Sequence, residues 1–198
     1  MKKIVIVSGI QLINNPRVFK EASYLSQRGY DVTVLAAIYD AESSVRTTDL
    51  IRNEVFRHIV VLDGTARSAI ERARFLVFRL LGRVSRLLHQ WFGWESPLQL
   101  GNQVVPLLLE ARRQSADLYI VHLESALYVG CKLLDQGEKV AIDIEDWYSE
   151  DGLPQDRARR PIGLIRQYEE KLLRNCVYAT TTSYALSNAL AGSYGCAA

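Results

Sequence analysis

The stretch Lys3-Ile-Val-Ile-Val-Ser-Gly9, continuing through Asn15-Pro-Arg-Val-Phe-Lys-Glu-Ala-Ser-Tyr-Leu-Ser-Gln-Arg-Gly29 to Asp31-Val-Thr-Val-Leu-Ala-Ala37, decides the fold. Lys3 to Ser8 is a short, continuous β-branched run, the pattern of a strand buried on both faces. Ser8-Gly9 breaks it. From Pro16 the period becomes helical, with Val18, Ala22 and Leu25 on one side and Lys20, Gln27 and Arg28 on the other. Proline in the first helical turn loses no needed N–H, and Asn14 or Asn15 supplies a cap. Gly29 ends the helix, and Asp31 to Ala37 is a second buried strand. A strand, a helix and a strand of these lengths make a parallel crossover.

Working outward, the same alternation continues. Strands are expected at Val55 to Leu62, Leu118 to His122, Lys139 to Ile144 and Val177 to Thr181. Helical periods cover Arg67 to Trp91, Leu98 to Gln114, Ser125 to Asp135, Ile162 to Arg174 and Tyr184 to Tyr194. The expectation is one doubly wound, Rossmann-like α/β domain with a parallel sheet over residues 1–198.

The 198 residues are 48% apolar and 23% charged with a net charge of +2, which excludes bulk disorder and a nucleic-acid-coating protein. The three cysteines, Cys131, Cys176 and Cys196, form no C-x-x-C pair and read as reduced thiols. The apolar run after Met1-Lys-Lys is too short for a secretory signal, and no stretch reaches the length of a spanning helix. The expected compartment is the cytoplasm. Charge is unevenly placed: Arg67, Arg72, Arg74, Arg79, Arg83 and Arg86 stand against Glu71 alone. Arg72, Arg79, Arg83, Arg86 and Gln90 fall on one stripe, opposite Ile70, Val77, Leu81, Val84, Leu88 and Trp91. Residues 67–92 therefore read either as a basic amphipathic helix for an anionic membrane surface or as a packed helix with a solvated arginine face. Nothing else in the chain supports nucleic-acid binding.

Open parallel sheets bind ligands beyond the carboxyl ends of their strands, which nominates four loops. Ser8 to Arg17 offers Gly9 for close backbone approach and a helix N-terminus for an anion. It lacks the dinucleotide and P-loop glycine patterns, and a plain capped turn explains it equally. His122 ends its strand beside Glu124, either as a hydrogen-bonded structural residue or as a donor to a substrate hydroxyl or phosphate. In Ile142-Asp-Ile-Glu-Asp-Trp-Tyr148, strand alternation points Asp143 and Glu145 to one face and puts Asp146 in the loop. The acids suit sugar hydroxyls, and Trp147 and Tyr148 suit stacking on a ring. The plainer alternative is an acidic loop pairing with Arg157 to Arg160. No His or Cys pair accompanies these acids, so a zinc site is not expected.

Four segments in this order resemble the family-4 glycosyltransferases. Asn14-Asn-Pro-Arg-Val-Phe-Lys-Glu-Ala22, with Gly29 and the strand after it, is similar to that family's opening. Ala116-Asp-Leu-Tyr-Ile-Val-His122, Ile142 to Asp151 and Tyr178-Ala-Thr-Thr-Thr-Ser183 resemble its later segments. The resemblance implies the N-terminal, acceptor-side half of a GT-B enzyme. Such an enzyme moves a sugar from a nucleotide donor to a glycan or lipid-linked acceptor, typically with retention and without a metal or other cofactor. It implies Gly9, Asn15 and Arg17 on the side of the donor phosphates, His122 near the reacting sugar, and Asp143, Glu145, Asp146 and Trp147 on the acceptor wall. Membrane-associated members carry basic amphipathic helices in this half, which favours the membrane reading of 67–92. Two departures stand out. Glu145 replaces a histidine common in the family, and no two glutamates lie eight apart, so the donor-gripping motif of the second half is missing. The expectation is a C-terminal donor-binding domain beyond Ala198, on the same frame or on another chain. Rival readings are a stand-alone, non-catalytic module for a glycan, lipid or partner, and a GT-B-like epimerase.

Overall fold

The computed structural model describes residues 1–196. The central element is β1 (Lys3–Ser8), whose alternate side chains serve two different cores. Val5 and Val7 pack on one face with Val121, Ile142 and the helices above them, while Ile4 and Ile6 pack on the other with Val18, Ala22 and Ile120. A strand covered on both faces needs an apolar residue at every position, which is what the sequence supplies. Ile6 is fully buried, and truncating such a side chain to alanine costs roughly 2–5 kcal/mol.

The other strands are β2 (Asp31–Ile38), β3 (Arg57–Asp63), β4 (Leu118–His122), β5 (Val140–Ile144) and β6 (Ala179–Thr181). All pairings are parallel, in the order β3-β2-β1-β4-β5-β6. The chain starts in the middle of the sheet, winds outward to β3, then returns to the other side of β1. The expected Rossmann-like doubly wound sheet is what the chain forms.

Helix α1 (Pro16–Gln27) lies on one face. On the other lie α4 (Val104–Gln114), α5 (Glu124–Leu134), α7 (Ile162–Asn175) and α8 (Tyr184–Tyr194). Two further helices were not anticipated: α2 (Ala41–Ile51), capped by Asp40, and the single turn α6 (Pro154–Arg157). The expected helix from Leu98 to Gln114 is broken. Pro97–Gln99 forms a 3-10 turn with a Ser96–Gln99 capping box, and α4 starts only at Val104, after Gly101. Val177 and Tyr178 precede β6 instead of forming part of it.

Helix α3 (Ala69–Phe92) meets the body along a narrow strip. Phe75 and Phe78 pack against the core, and Gly82 and Ser85 are its only buried positions. Gly82 allows this: a Cβ there would meet Asn102 Oδ1 at 2.8 Å and the Leu98 carbonyl at 3.4 Å. Among the described residues, no helix is long and apolar enough to cross a membrane.

Candidate functional site

Strands β1 and β4 are neighbours in space yet diverge in topology, so their carboxyl ends open a crevice at the switch point. His122 closes β4 there, and backbone geometry fixes it. Gly9 N donates to the His122 carbonyl at 3.0 Å. The next residue, Leu123, has φ 69° and ψ 164°, a region costing a side-chain-bearing residue about 1–3 kcal/mol. Gly9 is needed for this approach. A Cβ there would stand 2.8 Å from Ser125 Oγ and 3.0 Å from both the His122 carbonyl and Leu123 Cβ. The Gly9 carbonyl in turn accepts from Ser125 Oγ at 2.6 Å and from Gln103 Nε2. Gly9 therefore spends its backbone groups inside the protein. Asn15 does likewise: it is buried and caps α1, its side-chain oxygen accepting from Val18 N at 3.2 Å.

Arg17, one turn into α1, reaches across to β5. Its Nε donates to Asp143 Oδ2 at 2.6 Å and its Nη2 to Asp143 Oδ1 at 2.5 Å, a two-pronged pair. Thr180 Oγ1, from β6, donates to Asp143 Oδ1 at 2.6 Å. Asp143 is 3% exposed, so its strand carries a carboxylate inward and surrounds it with donors. Burial works against its charge, but His122, Arg17 and Thr180 overcome that and hold the carboxyl well below the usual carboxylate range.

His122 itself is 2% exposed and faces acids on every side. Nε2 meets Glu21 Oε2 at 2.8 Å. Nδ1 lies 3.2 Å from Asp143 Oδ2 and 3.9 Å from Glu145 Oε1, aligned with neither as a regular hydrogen bond. Burial lowers the affinity of the imidazole for a proton; Asp143, Glu145 and Glu21 outweigh it and push its pKa up to about 10. At neutral pH the ring is an imidazolium, hydrogen-bonded through Nε2 to Glu21 and with Nδ1 close to Asp143 but without a regular hydrogen bond. It is a positive charge held among carboxylates.

The parts that face solvent are Glu21, Lys20 and the outer edge of Arg17. With His122, Asp143 and Thr180 they line an open hollow of about 290 Å³. Glu145, with a quarter-exposed-or-less side chain at 21%, borders the same cluster. Strand alternation turned Asp143 and Glu145 to one face, as expected, and His122 ends its strand beside them; Arg17, expected beside Gly9 and Asn15 toward a donor phosphate, instead spends its guanidinium on Asp143. Glu21 was missed. Four residues after Arg17 on a helix, it reads as half of a surface ion pair, and only the direction of α1 over β4 brings it to His122.

The remaining nominated residues go elsewhere. Asp146 is exposed in the loop. Trp147 turns toward the core, donating from Nε1 to the Tyr194 hydroxyl at 3.3 Å with its ring edge-on to Tyr194. Tyr148 is 5% exposed, its hydroxyl accepting from Glu145 N at 3.3 Å. Neither ring offers a free face for stacking: the loop needs them as anchors. The plainer reading of the acidic loop holds in part. Arg157 and Arg166 pair with Glu150 at 2.9 and 2.6 Å, and Arg160 pairs with Glu124 and donates to the Tyr148 and Asp151 carbonyls.

No protein-family model matches the chain, and no curated protein matches it in sequence. Solved structures do resemble it in shape. A protein assigned as a UDP-N-acetylglucosamine 2-epimerase from Listeria monocytogenes aligns over 98% of this chain and 42% of its own, at 10% identity and a TM-score of 0.48. Arabidopsis thaliana UGT89C1 complexed with UDP aligns over 97% and 48%, at 15% identity and a TM-score of 0.49. The glycosyltransferase SsfS6 of Streptomyces sp. SF2575 aligns over 87% and 44%, at 11% identity and a TM-score of 0.44. The chain thus spans less than half the length of each. Likeness this distant says nothing of ligands, and the Rossmann-like fold rests on the chain's own strand order.

Proposed function

We propose that the chain is the acceptor-side half of a GT-B glycosyltransferase. In this reading it moves a sugar from a nucleotide donor to a glycan or lipid-linked acceptor, with a donor-binding domain facing it across a cleft. The observation that carries the reading is a convergence. The four segments that resemble family-4 glycosyltransferases lie far apart in sequence, and each sends a side chain into one cluster: Arg17 and Glu21, His122, Asp143 and Glu145, and Thr180. That cluster sits at the switch point, where open parallel sheets bind ligands.

The chemistry follows from the charges. His122 is already protonated, so it is not a general base. It fixes Glu21 by a hydrogen bond and attracts Glu145 by charge alone at 3.9 Å, and the free lone pairs of Glu21 are set to accept from sugar hydroxyls. Arg17 and Lys20 give the hollow a positive edge toward a donor phosphate, and fixed charges of this kind are what stabilise a departing nucleotide. A metal has no part in the reading. His122, Asp143 and Glu145 place ligand atoms within 4.8 Å of one another, but Asp143 has given its oxygens to Arg17 and Thr180, and the imidazolium repels a cation. The reading puts the protein on the cytoplasmic side, at the inner face of the membrane when the acceptor is lipid-linked.

Calorimetric titration of the chain with UDP- and GDP-sugars, paired with NMR titration of oligosaccharides, tests it. The donors should bind no tighter than about millimolar, and glycans should shift resonances of Lys20 and Glu21, with the shifts lost in Glu21→Gln. Micromolar donor binding abolished by His122→Ala would place the donor site in this half and overturn the division of labour.

A further inference from the structure

Helix α3 presents its apolar stripe to solvent. Docking through Gly82 and Ser85 leaves the opposite side of the helix outward, and at 100° per residue that side carries Leu76, Leu80, Val84, Leu87 and Trp91. Leu80 is 60% exposed, Leu87 53% and Trp91 77%. The solvated arginine face of the plainer sequence reading is only one flank of this surface. Proteins rarely leave a continuous apolar face of about four helical turns uncovered, and such a face marks an interaction site.

The charges beside it say what covers it. Arg72, Arg79, Arg83 and Arg86 run along one flank, and among the described residues none of them forms an ion pair. The one acid of the helix, Glu71, lies beside Arg74 at 3.5 Å. A second copy of the helix offers no remedy. An antiparallel two-fold pair sets the two arginine rows along the same rim, and a parallel pair sets each row against Leu81 and Phe92, with no acid in either. A row of unpaired guanidinium groups bordering an apolar face complements anionic headgroups above acyl chains. The aromatic residues gather at one end, where Trp91 and Phe92 are joined by the exposed Trp94, the position such rings take at a membrane interface.

We propose that α3 is an interfacial helix that lays its outer face on an anionic phospholipid surface, inserting Leu76, Leu80, Leu87 and Trp91 while Arg72, Arg79, Arg83 and Arg86 hold the headgroups. The inference goes beyond the reading of the switch-point cluster and does not depend on it, since no residue is shared.

Cosedimentation of the full chain with vesicles of phosphatidylcholine alone, and of equimolar phosphatidylcholine and phosphatidylglycerol, tests it, with tryptophan emission followed in parallel. Binding is expected to the anionic vesicles only, with a blue shift. Arg79→Glu combined with Arg83→Glu should weaken it by more than about thirtyfold, the loss from removing the two positive charges alone. Leu80→Ser combined with Leu87→Ser should abolish the blue shift. Both pairs lie on the exposed face, so circular dichroism and thermal melts should match the unaltered chain. Equal binding to both vesicles, no binding to either, or a dimer in sedimentation that the Leu80→Ser, Leu87→Ser chain fails to form would each overturn the proposal. Unchanged glycan titration in these variants keeps its failure separate from that of the switch-point site.

Discussion

The proton on His122 makes a measurable contribution to folding, and its pH dependence can be worked out. A histidine raised to about 10 in the folded chain and near 6.5 when unfolded gives stability that is fully present below pH 6.5. That stability is lost as pH rises through about 10. Between pH 7 and 8.5 the folded chain holds one proton more than the unfolded chain, and stability falls by about 1.9 kcal/mol. For a domain of this size the loss lowers Tm by roughly 4–8 °C. Other groups add little in this window. His58, which burial lowers to about 4, has nearly finished its effect below it. Burial raises the thiols of Cys131 and Cys176, so their unfolded forms, which ionise at about 8.5, add a smaller fall in the same direction at its upper edge. Calorimetric melts in buffers of matched ionic strength from pH 7 to 8.5 should show the full fall in the unaltered chain and a much shallower one in His122→Gln. Glu21→Gln removes one of the three acids that raise the ring, so its fall should start at the same pH and level off at a lower one. A flat profile in the unaltered chain, or the same slope in His122→Gln, would refute the assignment of the proton to this ring.

Two further outcomes follow from packing. Gly9→Ala forces a Cβ onto Ser125 Oγ and the His122 carbonyl and should cost about 1–3 kcal/mol, read as a lower Tm; an unchanged melt would refute the close approach. Tyr194→Phe strips the donor that the buried carboxylate of Glu169 receives at 2.7 Å and should cost about 1–3 kcal/mol in urea denaturation. Burial already raises the pKa of Glu169, so the loss should be smaller at acidic pH, where the group is neutral.

The parts of the fold that could be read from the sequence are those where local pattern and tertiary demand agree. β1, β2, β4 and β5 are apolar runs because both faces of each are covered. α2 escaped notice because Ala-Glu-Ser-Ser-Val-Arg-Thr-Thr-Asp-Leu-Ile is rich in weak helix formers and buries only Thr47, so it carries almost no apolar period. Residues 98–114 misled for the opposite reason: Leu100, Val104 and Leu107 keep a helical spacing across Gly101, where the chain turns. In the site, period-two alternation was enough to pair Asp143 with Glu145. It could not say that Asp143 is buried under Arg17, because that depends on where α1 crosses β5. The inward turn of Trp147 depends on Tyr194, nearly fifty residues later, and no local signal records it.

The position of β1 has a consequence for how the chain is made. Of the six strands it emerges first, and one of its edges waits longest for a partner. Its ladder with β2 can close once Ile38 has emerged, but the edge from Ile4 to Ser8 waits for Leu118 to His122. At about 5–20 residues per second, roughly eighty residues of synthesis leave that edge open for roughly 4–16 s. Beyond Lys3 it carries no charge and no proline, the features that guard exposed edges against other chains. The hazard of aggregation during synthesis is thus set by strand order, and chaperones that mask apolar segments act on that interval without altering the stability of the finished domain.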